Sequence, residues 1–353
     1  MRKGLLVIGD RKINSRKLAP SFNAFVKHVR KSKSRNLEFQ IISYNDVLAK
    51  KLPAFSSRIL SVILFFPFEY WNKNIEVYNR DSRIYGDRKF GEEYKKFFKR
   101  AERLIEKKYH DKKIKYVNPL KSSLLERDKK EAKILFKKNN IPTARSFHIK
   151  TPDDVKQLVK KGLSLYIKPR FGSMGKGITY VNENLISTNF LFRKGKIVSR
   201  KYDCNWPFTK ISEKSRNRFL KILISKDFIF EEAIEPPVYK GRRFDFRVYC
   251  VYGGVPYYYA KSMPAFSPVT NWAQGGRIEK KAYFSTYVSE SEIKKARFLA
   301  RKVTRTFNLN YAGVDIIFSK RFKKPYVLEV HSFPGFEKRF DLMGYLAKKV
   351  LER

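Results

Sequence analysis

The fold of this chain is decided by the stretch Leu165-Tyr166-Ile167-Lys168-Pro169-Arg170-Phe171-Gly172-Ser173-Met174-Gly175-Lys176-Gly177-Ile178. A short apolar run of β-forming residues leads to Lys168, and a loop with three glycines follows at once. Glycines let backbone N–H groups approach a polyanion closely, and a lysine at the end of a strand adds positive charge. The stretch therefore predicts a phosphate-binding loop, although its spacing matches neither the P-loop nor the dinucleotide fingerprint. The alternative is an ordinary glycine-rich hairpin with a solvated lysine.

Two apolar segments near the C-terminus, 311–318 and 325–331, predict a β-hairpin joined by a basic turn. Asp315 and Glu329 place one carboxylate in each segment, among residues that should be buried. His331 lies two residues after Glu329, so both side chains leave the same face of the strand. Burial of unpaired carboxylates is costly, and a divalent cation commonly offsets it. The alternative is that Asp315 and Glu329 pair with some of the many lysines and arginines.

Together these segments resemble the ATP-grasp superfamily, and most closely its RimK-type amino-acid ligases. The resemblance runs from about Ser123 to the C-terminus, and its motifs follow one another in the family's order. The matching segments are Arg127-Asp128-Lys129, Lys168 with the loop Gly172–Gly177, Phe230-Glu231-Glu232-Ala233-Ile234, Asp245-Phe246-Arg247, Asn271 through Gly275-Gly276, and Leu328 through Gly335.

The resemblance assigns a role to individual residues of this chain. The ATP-binding residues that it implies are Lys129, Lys168, Gly172, Ser173, Met174, Gly175, Lys176, Gly177, Glu232, Ala233, Asp245 and Asn271. The metal ligands that it implies are Asp315, Glu329 and His331, and the catalytic residues are Arg247 and Lys168. A planar guanidinium such as that of Arg247 suits a bidentate grip on a phosphoryl group or a tetrahedral intermediate.

The fold that the resemblance implies is mixed α/β (α+β). Two α+β lobes of an ATP-grasp fold hold ATP between them, after a Rossmann-like N-terminal β/α domain. The expected domains are 1–120, an N-terminal domain; 121–230, the small lobe with the phosphate loop; and 231–353, the large lobe with the metal site. Within the small lobe, the apolar periodicity predicts one helix from about Leu124 to Lys138.

The reaction that the resemblance implies is the ATP-dependent joining of a carboxylate to an amine through an acylphosphate, with Mg²⁺ or Mn²⁺ as the metal. Two departures from the family pattern bear on it. His331 stands where the family usually has Asn, and imidazole suits softer metals than magnesium. Val269 and Thr270 lie where the family often has a phosphate-facing Arg, so Arg170, Lys261 or Arg247 would have to supply that charge.

Cysteine content and hydropathy set the expected compartment. Cys204 and Cys250 give no disulfide framework, which favours a reducing cytoplasm. The longest apolar run, 59–68, is interrupted by Pro67 and is too short to span a bilayer, so no membrane association is expected.

The charge of the chain bears on its partners. Lysine and arginine number 78 against 33 acidic residues, a formal net charge of +45 that is spread along the chain. An acidic acceptor, such as a protein tail or peptide that receives glutamate or another amino acid, would be steered to this surface. Nucleic acid or the ribosome would bind it through phosphates, on a repurposed ATP-grasp fold. A generally basic proteome would also explain the charge, and a ligase acting on a small cofactor stays an alternative.

Overall fold

The computed structural model describes residues 2–14, 17–32, 36–76, 84–200, 206–270, 275–321, 323–335 and 338–353. The strands in these ranges are β1 (Lys3–Ile8), β2 (Lys12–Asn14), β3 (Lys17–Leu18), β4 (Leu37–Ile42), β5 (Ile59–Leu64), β6 (Lys113–Val117), β7 (Ser146–Phe147), β8 (Leu165–Lys168), β9 (Thr179–Val181), β10 (Ile186–Thr188), β11 (Leu191–Arg193), β12 (Lys196–Val198), β13 (Thr209–Lys210), β14 (Ile229–Glu232), β15 (Val238–Tyr239), β16 (Arg242–Val251), β17 (Gly254–Pro264), β18 (Arg277–Glu279), β19 (Tyr311–Phe318) and β20 (Pro325–His331).

The helices surround three main sheets. They are α1 (Pro20–Lys31), α2 (Tyr44–Leu48), α3 (Phe68–Tyr70), α4 (Arg88–Lys108), α5 (Leu120–Arg127), α6 (Lys129–Lys138), α7 (Pro152–Lys160), α8 (Glu213–Ser225), α9 (Lys281–Phe284), α10 (Glu290–Thr306) and α11 (Leu342–Leu351), with a π-helical turn at Trp71–Ile75.

The N-terminal sheet is parallel, in the order β4-β1-β5-β6. Its central strands β1 and β5 consist almost entirely of apolar residues because helices cover both faces of such a sheet. The apolar run at 59–68 therefore supplies a core strand. Among the described residues, no helix has the length and apolar character needed to cross a membrane.

The other two sheets are antiparallel and carry the predicted motifs. In one, β8 and β14 lie side by side in the order β13-β10-β9-β8-β14-β7, with Lys168 at the end of β8. In the other, β16, β17, β19 and β20 adjoin, with Asp315 opposite Arg247 on one side and opposite Glu329 on the other. The predicted hairpin is confirmed as β19 and β20, and the predicted mixed α/β class is observed.

The single helix expected at 124–138 is wrong, since the chain breaks at Asp128 between α5 and α6. Asp128 has extended backbone dihedral angles, and its carboxylate accepts hydrogen bonds from the N–H groups of Lys130 and Glu131. A residue that caps a helix in this way favours a helix start over a helix interior. The break allows Arg127 and Lys129 to face one cavity from two different helices.

The N-terminal sheet and the second sheet share one hydrophobic core. Leu6 and Trp71 of the first part belong to the same cluster as Leu165 and Phe230 of the second. The predicted boundary at 230 falls inside β14, a strand of the second sheet. The predicted division into three domains stays a prediction.

Candidate nucleotide and metal site

The segment Gly172–Gly177, here called the glycine loop, begins shortly after the end of β8 at Lys168 and adopts backbone conformations that side chains disfavour. Met174, Gly175 and Gly177 have φ angles of 58°, 66° and 73°. A Cβ atom on Gly177 would also lie 2.7 Å from the Phe190 ring. The start of α6 is attached to this region, because the N–H of Lys129 donates to Arg170 and its ammonium group donates to the Gly172 carbonyl.

Buried lysines meet at one carboxylate beside the loop. Glu231 accepts from Lys168 at 2.8 Å and lies 3.1 Å from the ammonium group of Lys133. Burial opposes ionisation of Glu231, but the two lysines outweigh it and lower the pKa of Glu231 to about 2. Burial would likewise lower the pKa of Lys168, but Glu231 and Glu329 reverse the direction and raise it. For Lys133 burial prevails, and its pKa is lowered.

Asp315 occupies the centre of an ion-pair network on the third sheet. Its Oδ1 lies 2.6 Å from Nε of Arg247 and 3.0 Å from Nζ of Lys261, and its Oδ2 lies 3.2 Å from Nε2 of His331. Burial opposes ionisation, but Arg247 and Lys261 hold the pKa of Asp315 well below its usual range. Lys261 also lies 3.1 Å from Asp245, whose pKa is raised because its carboxylate is buried.

Glu329 and His331 adjoin this network from β20. His331 Nε2 lies 3.6 Å from Glu329 Oε2, and Lys129 Nζ lies 3.6 Å from Glu329 Oε1. The pairing of Asp315 and Glu329 with cationic side chains, given above as the alternative, is therefore present. The predicted same-face arrangement of Glu329 and His331 is also present.

Asp315, Glu329 and His331 are the residues that would hold a divalent cation. The carboxylates of Asp315 and Glu329 each lie within 3.6 Å of the His331 imidazole, and these three groups are suitable donors for magnesium or manganese. Within the described parts of the chain, no three acidic, histidine or cysteine side chains already have the spacing of metal ligands. Both Asp315 oxygens are also taken by cations. The donor chemistry fits the metal, whereas Asp315 would have to exchange a cationic partner to bind it.

One cavity joins the loop, the lysines and the hairpin. Its walls include Lys129, Lys133, Gly172, Ser173, Glu231, Glu329 and His331, together with Glu126 and Arg127. Three cationic side chains, Arg127, Lys129 and Lys133, line the cavity beside the carboxylates of Glu126, Glu231 and Glu329. A triphosphate is the polyanion that the glycine loop predicts, and the lysines and loop amides of this cavity are the groups that would hold it.

Some of the predicted residues lie elsewhere. Glu232 points away from the cavity and pairs with Arg145 at 3.2 Å, and the Ala233 N–H donates to Ser164. The side chain of Met174 is exposed. Asn271 lies outside the described residues.

Lys176 is the clearest departure, because its ammonium group does not reach the cavity. It pairs with Glu76 at 2.6 Å, and the two side chains are 5% and 3% exposed. The rings of Tyr85 and Trp206 lie 5.2 and 5.6 Å from its Nζ. A buried carboxylate of the N-terminal part thus neutralises Lys176 in this conformation, and its assignment to the phosphates stays a prediction.

Sequence reasoning missed Lys133, Glu231 and Arg127. Lys133 lies four residues after Lys129 and so shares a helix face with it, which is a usable signal. Glu231 adjoins the predicted Glu232, and strand alternation allows only one of them to point inward. Which of the two does so is decided by the pairing of β14 with β8.

The three sheets and the lysine-rich cavity beside the glycine loop define an ATP-grasp protein. The chain belongs to the YheC/D-like ATP-grasp family, whose model matches residues 137–351. The predicted superfamily is thereby confirmed. None of the curated proteins matches the chain by sequence.

Solved structures of ATP-grasp ligases share the fold along the whole chain. The ligase PsnB, in complex with a phosphomimetic variant of its minimal precursor, Mg and ADP, has 13% identity and a TM-score of 0.59, covering 99% of this chain and 97% of that one. The macrocyclase MdnC, bound with precursor peptide MdnA from Microcystis aeruginosa, has 10% identity and a TM-score of 0.58, covering 99% of both. D-alanine–D-alanine ligase from Bacillus anthracis has 14% identity and a TM-score of 0.53, covering 99% and 92%. At these identities the likeness concerns the fold alone.

Proposed function

We propose that this protein is an ATP-dependent carboxylate–amine ligase with RimK-type chemistry. The observation that carries the proposal is the cavity where Lys129, Lys133 and the glycine loop face Glu329 and His331. A carboxylate oxygen of the acceptor attacks the γ-phosphorus of ATP, and ADP leaves. The amine of the second substrate then attacks the acyl carbon, and phosphate leaves as the amide forms.

The side chains of the cavity, together with the ion pairs that adjoin it, supply position and charge. Lys129, Lys133 and Lys168 bind the phosphates, while Glu231 keeps Lys168 protonated. We expect Arg247, which donates two hydrogen bonds to Asp315, to contact the phosphoryl group or the intermediate. Electrostatic stabilisation and orientation of this kind provide most of the catalysis in phosphoryl transfer, so no side-chain base is required for that step. Mg²⁺ or Mn²⁺ held by Asp315, Glu329 and His331 would neutralise phosphate charge when bound.

We propose an acidic peptide or protein as the acceptor, extended by glutamate or another amino acid. The net charge of +45 supports an acidic partner, and PsnB and MdnC are bound to precursor peptides. A cytoplasmic location goes with this proposal, because ATP is the co-substrate. Nucleic-acid binding is the rival explanation of the charge, and its affinity would fall steeply between low and physiological salt.

The test is phosphate release from ATP with Mg²⁺ or Mn²⁺ across amino acids and acidic peptides. Release that needs both an amine and an acceptor supports the ligase. Lys168→Ala and Glu329→Ala should each abolish release without unfolding the protein. Lys161→Ala and Glu183→Ala remove the same charges from exposed positions and should have no effect. Turnover at the wild-type rate in either site variant would contradict the proposal.

A further inference from the structure

We infer that Arg127 binds the carboxylate that the enzyme activates, so that the acceptor enters the cavity from its N-terminal side. The inference rests on the proposed function and adds to it a binding residue for the acceptor. It follows from the surroundings of one guanidinium group.

Arg127 is the last residue of α5, and its side chain is half-buried. Three aromatic rings of the N-terminal part, here called the aromatic box, surround its guanidinium carbon. The distances to the ring centroids are 4.9 Å for Trp71, 5.4 Å for Tyr94 and 5.8 Å for Phe66. These rings fix the guanidinium plane and attract its charge.

No carboxylate of the described residues lies within ion-pair distance of Arg127. Its Nε and Nη2 are buried and make no hydrogen bond. The lysines of the cavity wall are paired, Lys129 with Glu329 and Lys133 with Glu231, and the His331 ring contacts Asp315. The carboxylate of the neighbouring Glu126 is also hydrogen-bonded, because it accepts hydrogen bonds from the N–H and hydroxyl groups of Ser332.

An unpaired guanidinium away from water carries a free-energy cost that an anionic ligand would remove. The fixed plane and paired N–H donors of arginine match the two oxygens of a carboxylate. The surrounding rings lower the local dielectric constant and strengthen such a pair. The carboxylate is therefore the anion that this site fits best.

The position of Arg127 also suits the reaction. Lys133 and Lys168 lie against Glu231 of β14, whereas Arg127 lies against the aromatic box. Lys129, Gly172 and Ser173 line the same cavity. Phosphates on the lysines and a carboxylate on Arg127 would meet within one cavity, as formation of an acylphosphate requires.

The test compares Arg127→Met and Arg127→Lys with Arg100→Met, which removes the same charge from an exposed position on α4. The probe is a short glutamate peptide with capped ends, and its glutamine counterpart is the blank. Affinity is measured by calorimetry with Mg²⁺ and ADP present, at salt of about 0.15 M to screen the surface charge. ADP affinity is measured separately.

Arg127→Met should weaken binding of the glutamate peptide by about 10- to 100-fold, the range for loss of a charged hydrogen-bonded pair. Its ADP affinity should stay within about twofold of wild type, because the phosphates are proposed to lie on the lysines and not on Arg127. Arg127→Lys keeps the positive charge but lacks the planar pair of N–H donors, so it should give an intermediate loss of peptide affinity. It also serves as the test if the Met variant does not fold. Arg100→Met should bind both ligands as the wild type does.

Three outcomes would overturn the inference: unchanged peptide affinity in Arg127→Met, an equal loss of ADP affinity, or no preference of the wild type for the glutamate peptide over its blank. The binding assay needs no turnover. If Arg127 governs peptide binding but no phosphate is ever released, the proposed function fails and the binding site stands. If phosphate is released and Arg127→Met leaves the peptide KM unchanged, the function stands and this inference fails.

Discussion

Glu76→Gln tests how the glycine loop is held to the N-terminal part of the chain. Glu76 pairs with Lys176 of the loop at 2.6 Å, and it also accepts a hydrogen bond from the indole N–H of Trp71. Glutamine keeps the shape and the hydrogen-bonding capacity of the side chain. The substitution therefore removes the negative charge that Glu76 places 2.6 Å from the buried ammonium group of Lys176.

The expected cost is about 3–5 kcal/mol of unfolding free energy, the range for loss of one partner of a buried ion pair. An upper limit follows from the lysine itself, because Lys176 can release its proton when the pair is lost. Deprotonation of a lysine with an ordinary pKa costs about 5 kcal/mol at pH 7, at 1.36 kcal/mol for each pH unit. The same calculation gives a limit of about 2 kcal/mol at pH 9.

The direction of the pH dependence can be checked from the protons bound. Burial already lowers the pKa of Lys176 in spite of Glu76, and loss of Glu76 lowers this pKa further. The folded variant then binds fewer protons than the folded wild type between its own pKa for Lys176 and that of the wild type, while the two unfolded chains bind the same number at this lysine. Stability of the variant relative to wild type should therefore rise with pH across this window.

The assay is denaturant-induced unfolding followed by tryptophan fluorescence, at about pH 7 and pH 9 to bracket the limits above. Glu69→Gln is the matched control, because the Lys73–Glu69 pair is equally short at 2.7 Å but exposed. It should cost less than about 1 kcal/mol. The double variant Glu76→Gln/Lys176→Met should recover much of the lost stability. If Glu76→Gln costs no more than the control, or as much at pH 9 as at pH 7, the buried charge does not hold the loop.

Two further predictions concern the lysine cluster and the packing beneath the loop. Burial lowers the pKa of Lys133, and a bound triphosphate would raise it again, so ATP binding should take up protons at pH values between the lowered pKa and the ordinary lysine pKa. Calorimetry in buffers of different ionisation enthalpy would detect this uptake. Lys133→Met should remove most of this uptake and weaken ATP binding about tenfold, whereas the exposed Lys138→Met should do neither. Gly91→Ala would place a Cβ atom 2.4 Å from the Phe171 ring, so overpacking of about 1–3 kcal/mol should outweigh the helix-propensity gain of about 1 kcal/mol. In Gly335→Ala the added Cβ atom would have no atom of the described residues within 4 Å, so the unfolding midpoint should stay unchanged. An equal loss in both glycine variants would contradict the packing argument.

The sequence predicted those parts of the site that depend on local pattern. The end of β8 at Lys168, the glycine loop and the β19–β20 hairpin all follow from runs of apolar residues and glycines. The shared face of Glu329 and His331 follows from strand alternation alone. These features could be read from the chain because each is set by the conformation of a few consecutive residues.

The sequence did not predict which charges meet. Lys176 lies within the glycine loop but binds Glu76, a hundred residues away in the chain. The break at Asp128 was also not predicted from the apolar pattern. Asp128 caps α6 and also pairs with Arg170, which lies outside the helix. Contacts of this kind depend on how the sheets pack, which no local pattern describes.

By itself, the sequence determined the strands and loops of this protein and the residue types that face a phosphate. Only the tertiary structure decided that Glu231 points into the cavity while Glu232 points out, that Asp315 is neutralised by Arg247 and Lys261, and that Arg127 lacks a carboxylate partner among the described residues. The physical reason is that backbone conformation is governed by near neighbours in the chain. Ion pairing and burial are governed instead by distances between segments that are far apart in sequence.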